Sequence, residues 1–177
     1  ENIFKYRILG NPINDIEDKL IVIINSLINN KNFNLTLLSE ILTIPNLSDI
    51  EANLNNINPI KIHNITYELN IKFANKLKNN LKIILSQIQK SIKKTWPEGK
   101  EERKLIEVIW KLLLHTYDEE TKKNILNFID CDNMSLSKSA LSVLQSFDCV
   151  ERDIASEIFY KKWKENNIVL DNWFYFA

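Results

Sequence analysis

The sequence predicts an all-α fold in which antiparallel helix pairs stack into an irregular superhelix, similar in layout to HEAT and armadillo solenoids. Three observations lead to this prediction. The chain of 177 residues contains only two glycines and four prolines, so few residues interrupt helices. Its apolar residues recur every three or four positions and do not alternate, which is typical of helices and does not indicate strands. Several segments are apolar on two faces and are joined by brief turns, without a repeat of fixed period.

The first two helices follow from an apolar stripe and from a polar cap. Residues 15–29 carry the stripe and predict the first helix. The stripe consists of Ile16, Leu20, Ile23, Ile24, Leu27 and Ile28. Asn32 and Asn34 lie in the next turn and are positioned to cap a short second helix through residue 42. That helix must end near Pro45, because a proline disfavours the helical conformation in the residue before it.

The middle of the chain predicts a short helix and then a long one. Ser48 followed three residues later by Glu51 is a capping box, which predicts a helix to about residue 56. Asn58 and Pro59 have the residue types of an N-cap and a first helical position. The helix that they open extends to about residue 93, because its apolar residues keep helical spacing. These are Ile62, Ile65, Leu69, Phe73, Leu77, Leu81, Ile84, Ile88 and Ile92.

Five further helices are predicted in the rest of the chain. A break at Trp96, Pro97 and Gly99 separates them from the long helix. They cover about residues 100–116, 119–128, 135–147 and 151–164, and the last begins near residue 169. Because the connections are short, neighbouring helices should run antiparallel.

Composition and charge place the chain among ordinary globular proteins. Lysine plus arginine equals aspartate plus glutamate at 23 each, so no net field attracts nucleic acid or anionic lipid, and neither partner is predicted. No apolar run reaches the roughly 18 residues that span a bilayer, and no signal peptide opens the sequence. Cys131 and Cys149 lack metal-site spacing, and nothing indicates that they pair. We therefore expect structural thiols in a reducing, cytoplasmic compartment.

A lysine-rich stretch is the feature that most favours a polyanion partner. It contains Lys72, Lys76, Lys78, Lys82, Lys90, Lys93 and Lys94 with no intervening acid. A basic helix face near Trp96 is one way to contact nucleic acid or anionic lipid. However, these lysines are scattered around the helix and arginine is missing, so we interpret them as a solvated outer face.

The last fifteen residues point to a larger protein. The chain finishes on four consecutive aromatic residues before Ala177, and each ring needs roughly 150 to 250 Å² of partner surface. We therefore expect Ala177 to be a cut inside a longer chain. Residues 163–177 resemble the Lys-Trp, Leu-Val and Asp-Lys-Trp-Phe pattern in the C-terminal helical domain of aminopeptidase N, a family of zinc-dependent alanyl aminopeptidases of the gluzincin class. Asn172 replaces the common Lys of this pattern, and Phe176 replaces a Gln.

Other segments resemble the same domain. Residues 39–45, Ser-Glu-Ile-Leu-Thr-Ile-Pro, are similar to its Ala-Glu-Ile-Leu-Thr-Leu-Pro, and residues 58–60 are similar to its Asp-Pro-Ile helix start. Residues 132–135 resemble its Asn-Asn-Met-Thr segment, with Ser135 standing where Thr would cap the next helix. The resemblance covers about residues 20–177. It implies that residues 1–177 form a single helical domain, the leading portion of the C-terminal domain of a larger aminopeptidase.

The resemblance also implies a function for the parent enzyme. Enzymes of this family remove N-terminal residues from peptides, with a zinc-bound water attacking the peptide carbonyl and a Glu as general base. The zinc ligands and the Glu would precede Glu1 in the parent chain. The helical domain would pack against the catalytic domain of the same chain, wall the active site and restrict access of peptide substrates.

The residues of this chain do not predict a reaction. The family's His-Glu-x-x-His helix, its Gly-x-Met-Glu-Asn motif and any Ser, His and Asp arrangement are missing. His63 and His115 each lack a second histidine within a helical turn, so we predict structural or surface roles, with His115 pairing locally with Glu119. We assign no catalytic, cofactor-binding or metal-ligating residue, and the chain alone should be catalytically inert.

Two alternatives concern binding. Trp163, Trp173, Phe174 and Tyr175 have the composition of an aromatic cage for a ligand, but packing between adjacent helices explains them more simply. In the isolated chain we expect them to be partly exposed. The alternative to a domain of an aminopeptidase is a free-standing α-helical scaffold that binds protein partners on a concave face.

Overall fold

A computed structural model describes Arg7 and residues 14–29, 34–45, 58–92 and 98–176. These residues form α-helices joined by short connections, and no strand occurs among them. The helices are α1 (Asn14–Ile28), α2 (Leu35–Leu42), α3 (Pro59–Ser91), α4 (Lys100–Leu114), α5 (Glu119–Asn127), α6 (Met134–Gln145), α7 (Val150–Trp163) and α8 (Asn167–Phe176). The predicted all-α class is therefore confirmed. The helix predicted from the capping box at Ser48, and Asn32, lie outside the described residues.

Polar caps set the helix starts. The Asn34 side chain accepts a hydrogen bond from the Leu37 amide at 3.1 Å, and the Asn58 side chain accepts one from the Lys61 amide at 3.1 Å. Each such cap is worth about 1 kcal/mol of stability. Pro59 occupies the first turn of α3, where its missing N–H costs no helical bond. Both predicted caps are confirmed.

The cap predicted at Ser135 is wrong. The Asn133 side chain accepts from the Leu136 amide at 3.0 Å, and α6 begins at Met134. Asn133 has extended backbone angles, which let its side chain turn back onto the first turn, whereas Ser135 already lies within that turn. The family's Thr position therefore does not mark the cap in this chain.

The centre of the core is α4. It packs against α2, α3, α5 and α6. The residues of α4 that are fully buried are Leu105, Ile106, Ile109, Trp110 and Leu113. The indole N–H of Trp110 donates to Asn124 in α5 at 3.3 Å, and its ring lies 5.2 Å from the ring of Phe128. The largest buried side chain thus finds both an apolar and a polar partner.

The order of contacts is that of a stacked array. Consecutive helices pack on one another from α3 to α8, and helices two apart in sequence also pack: α1 on α3, α2 on α4, α4 on α6, α5 on α7 and α6 on α8. In a solenoid each pair of helices covers the next, which produces this pattern. The predicted solenoid-like layout is confirmed for the described helices.

Candidate functional site

A groove of about 690 Å³ opens where the end of α2 meets α3, α4 and the turns after α4 and α6. We call it the groove. Its residues are Leu42, Thr43, Ile44, His63, Tyr67, Asn70, Val108, Lys111, Leu112, His115, Tyr117, Ser146, Phe147 and Asp148. Its volume lies within the range of about 300–1,000 Å³ that is typical of small-molecule sites. A smaller cavity of about 400 Å³ lies where the end of α3 meets the turn before α6.

Both histidines of the chain line the groove. They are far apart in sequence, and the packing of α3 against α4 brings them to one cavity. The His115 ring lies between two aromatic rings in edge-on contacts, 5.7 Å from the Tyr67 centroid and 4.8 Å from the Phe147 centroid. The predicted pairing of His115 with Glu119 is wrong, because the Glu119 carboxylate pairs with the Lys122 ammonium, whereas the His115 ring lies between Tyr67 and Phe147.

His115 is a neutral imidazole in an apolar setting. Burial lowers its pKa below the ordinary value, since the charged form loses its water. Its Nδ1 atom is buried and has no hydrogen-bond partner among the residues that the structure describes.

Two tyrosine hydroxyls join across the groove. The Tyr67 hydroxyl in α3 is hydrogen-bonded to the Tyr117 hydroxyl in the turn after α4, and this bond raises the pKa of Tyr67. Tyr117 has a φ of 53°, in the left-handed region that favours glycine. Its side chain is 62% exposed, so its ring gains little burial in return. The position of this phenol is therefore held at a conformational cost.

Asp118 fixes the turn that carries Tyr117. Its carboxylate lies 2.8 Å from the Lys78 ammonium and 2.9 Å from the Lys82 ammonium, both in α3. The same carboxylate caps α5, accepting from the Thr121 amide at 3.0 Å and from the Thr121 hydroxyl at 2.8 Å. The Lys78 bond is the largest cause of a pKa far below the usual range, and Lys82 and Thr121 add to it against the opposing effect of burial. The turn is thus tied to the middle of α3.

The lysine-rich stretch is not simply the solvated face that we interpreted it to be. Lys72 lies 2.9 Å from the Glu17 carboxylate and 3.0 Å from that of Asp18, both in α1. Lys82 also pairs with Glu120 at 2.7 Å. Lys93 and Lys94 lie outside the described residues. Acids supplied by other helices therefore neutralise part of the charge that α3 would offer a polyanion.

Glu17 is a fully buried carboxylate that the sequence did not single out. Arg7 donates to it through Nε at 2.6 Å and Nη2 at 3.1 Å, and Arg7 Nη1 donates to Glu68 at 2.7 Å. Burial alone would raise the pKa of Glu17, but the hydrogen bonds from Arg7 and Lys72 outweigh it and lower the pKa. This ion cluster joins α1 to α3.

The aromatic residues near the end of the chain pack between α7 and α8, as interpreted from the sequence. The Trp173 indole N–H donates to the Ser156 carbonyl at 3.1 Å and to its hydroxyl at 2.9 Å. The Trp173 ring lies 5.1 Å from that of Tyr160. Phe174 is 65% exposed, as expected for part of this segment, and the side chain of Tyr175 lies outside the described ones.

The remaining candidates do not form a reactive centre. Cys131 and Cys149 are free, partly buried thiols, and burial raises the pKa of each. Among the described residues, no three His, Cys, Asp or Glu side chains are close enough to share a metal ion, so these residues do not fit a zinc site. Within the same part of the chain, no helix is both long enough and apolar enough to cross a lipid bilayer.

Comparison with known proteins identifies the lineage. Residues 4–177 match a family described as a domain of unknown function, DUF3458_C, with ARM repeats. No curated protein sequence is significantly similar to the chain. The crystal structure of Legionella pneumophila aminopeptidase A in complex with aspartic acid is similar, with a TM-score of 0.74 and 26% identity over 88% of this chain. The chain spans 20% of the length of that protein.

The family match covers nearly the whole chain, and the structural match covers most of it. The chain belongs to the DUF3458_C family of ARM-repeat domains and is a C-terminal helical domain of an aminopeptidase N-like enzyme.

Proposed function

We propose that this chain is the non-catalytic tail domain of a zinc-dependent aminopeptidase and that it walls the passage to the active site of that enzyme. The similarity to an aminopeptidase in both fold and sequence carries the proposal. Most of that protein has no counterpart in this chain, which leaves room for a separate catalytic domain. The parent would remove N-terminal residues from peptides, and this chain would limit which peptides reach the site.

The outer side of α1 offers a surface for the catalytic domain. Ile16 is 46% exposed and Ile23 is 54% exposed, and helical spacing aligns them with the half-buried Leu20 and Leu27. An apolar stripe of this kind beside a packed core is typical of a docking face. We propose that the catalytic domain of the same chain covers it.

A domain that walls a passage must be rigid, and two ion clusters link its helices to one another. Glu17 joins α1 to α3, and Asp118 joins the turn after α4 to α3. Each cluster connects residues that are far apart in sequence. Because both clusters fasten the same long helix, α1, α3 and the start of α5 should move together.

Zinc would supply activation of a water for attack on the peptide bond in the parent. The described residues of this chain hold no ligand set for it, so its ligands would come from the catalytic domain. The part of this chain would be to exclude large substrates and to orient peptides that enter. The free thiols favour a reducing compartment, and we propose the cytoplasm.

The first experiment is to read the natural gene on both sides of this segment. A His-Glu-x-x-His motif with a second Glu on the following helix, encoded upstream in the same reading frame, supports the proposal. An upstream region without these ligands contradicts the enzymatic part and favours the helical scaffold.

The second experiment tests the wall in the purified parent. Ile16→Asp with Ile23→Asp should loosen the docked domain, so that kcat/KM for long peptides rises relative to that for a small aminoacyl reporter. The matched control is Val22→Asp, which charges an exposed position on another side of α1 and should leave the ratio unchanged. An unchanged ratio in the double variant contradicts the wall.

A further inference from the structure

The groove has a chemistry that a plain structural wall does not need. Leu42 and Leu112 form its floor and are 4% and 3% exposed. Tyr67 and Tyr117, at 39% and 62%, form its rim. An apolar floor beneath a few polar groups is the usual construction of a site that takes an organic ligand. The floor favours an apolar group of the ligand, and the hydroxyls of the rim select the polar part of the same ligand.

Tyr117 is the observation that points most directly to a ligand. Glycine would adopt its φ of 53° without cost, whereas tyrosine carries a penalty there. The ring gains little from burial, so the fold does not repay that penalty by packing. What the position provides is a phenol beside the groove, paired with Tyr67. Strained residues of this kind concentrate at binding sites.

The hydroxyl pair leaves both a donor and acceptors for a third group. Two tyrosine hydroxyls carry two protons, and their mutual bond uses one of them. The pair can therefore donate one hydrogen bond and accept others. A peptide backbone offers both kinds of group, since each residue other than proline has one N–H and one C=O.

The charges of the groove favour a ligand without net charge. Lys111 lies 2.8 Å from Glu107, so its ammonium is already compensated. The side chain of Asp148 is fully exposed and lies within 3.9 Å of Arg152. His115 is kept neutral by its surroundings. The Lys111 charge is thus paired within α4, and the Asp148 carboxylate is surrounded by water, so neither residue favours a ligand that carries a net charge.

We propose that the groove binds an apolar amino-acid side chain carried on a backbone without net charge, supplied by a peptide or by a free zwitterionic amino acid. The side chain would occupy the floor at Leu42 and Leu112, and the backbone would meet the Tyr67 and Tyr117 hydroxyls. The expectation that peptides reach the groove rests on the proposed function. The preference of the groove for this kind of ligand does not depend on that function.

Isothermal titration calorimetry on the intact chain tests the proposal. The probes are acetyl-Ala-Ala-Phe-Ala-Ala-amide, the all-Ala peptide of the same length, free phenylalanine and hexanoate. We expect the Phe peptide to bind at least tenfold more tightly than the all-Ala peptide. If free phenylalanine binds as tightly as the Phe peptide, the source is the free amino acid, and the proposal stands.

Variants locate the binding. Tyr117→Gly removes the phenol and relieves the backbone, and it should weaken binding of the Phe peptide about tenfold. Tyr67→Phe keeps the ring and removes one hydroxyl, and it should weaken binding about fivefold. The control is Tyr160→Ala, which removes a partly exposed tyrosine from α7 and should leave binding unchanged. Circular dichroism on each variant verifies the fold.

Three results would overturn the proposal: no heat with any amino-acid probe up to the millimolar range, equal affinity for the two peptides, or binding of hexanoate alone. A different measurement tests the proposed function. A purified parent that releases no residue from an aminoacyl reporter refutes the aminopeptidase, whatever the groove binds.

Discussion

The α1–α3 contact and the packing around α6 are held by different interactions. Between α1 and α3, the buried Glu17 meets Arg7 and Lys72, and Asn80 donates to Asn25 at 2.7 Å. In α6, by contrast, the fully buried side chains are mostly apolar: Leu144, Leu141, Ala140 and Val143 are 0% exposed. Polar contacts are directional and sensitive to pH, whereas apolar packing is neither. The first contact should therefore respond to conditions that leave the second unchanged.

The largest expected effect comes from removing the cations of the α1–α3 cluster. Arg7→Met combined with Lys72→Met leaves Glu17 buried without the two cations that pair with it. The free energy of unfolding should fall by about 3–5 kcal/mol, the cost of breaking a buried ion pair. Urea unfolding followed by circular dichroism measures it. Adding Glu17→Gln to the double variant should restore most of the loss, and a failure to do so would show that packing dominates this contact.

The next largest effect is expected in the apolar packing around α6. Leu141→Ala creates a cavity in the core at α6, and the free energy of unfolding should fall by about 2–5 kcal/mol. Since no charge is involved, the loss should be the same at low and high salt and between pH 5 and 8. A loss that varies with salt would contradict the assignment of this region to apolar packing.

Asp118 has a smaller predicted effect that separates its two roles. Asp118→Ala removes both the cap of α5 and the partner of Lys78, and it should cost about 1–2 kcal/mol. Asp118→Asn keeps a capping oxygen and removes the charge, so it should cost less. Because the folded-state pKa is lowered, the native protein should lose this contribution as the pH falls below about 3.8, and neither variant should show that loss. Acid titrations of stability compare the three proteins.

The smallest effect is the pH dependence contributed by His115. Burial lowers its folded-state pKa, so the unfolded chain binds the proton more readily. Stability is then complete above the ordinary pKa of about 6.5 and falls as the pH drops below it, until the folded state is protonated as well. The loss of free energy of unfolding is small, because only one imidazole contributes to it. His115→Phe should flatten this part of the profile, and an NMR titration of the His115 ring gives the pKa directly.

Local signals in the sequence predicted the helices well. Asn34, Asn58 and Pro59 act within one turn of the chain, so their residue types suffice to place the starts of α2 and α3. The Ser135 error has the same local scale, since Asn133 two residues earlier was an equally good cap. The family resemblance located that helix but not its cap.

The groove could not be predicted in the same way. His63, Tyr67, His115 and Tyr117 are brought together by the packing of α3 on α4, which leaves no mark in local sequence. The acids that neutralise the lysines of α3 likewise come from other helices, so a stretch without acids was interpreted as solvated. One residue beside the groove did carry a local signal, because Asp118 has the residue type of an N-cap and its side chain accepts from the Thr121 amide.

The length of α3 has a mechanical consequence. With 33 residues it extends about 50 Å. Glu68, in its first third, accepts from Arg7, and Gln89, close to its last residue, donates to Asn124 at 2.9 Å. Asn124 also receives the Trp110 indole. A straight helix that is held at two separated points transmits a displacement along its axis with little bending. A domain that docks on α1 would therefore also displace α5, far from the surface that it contacts.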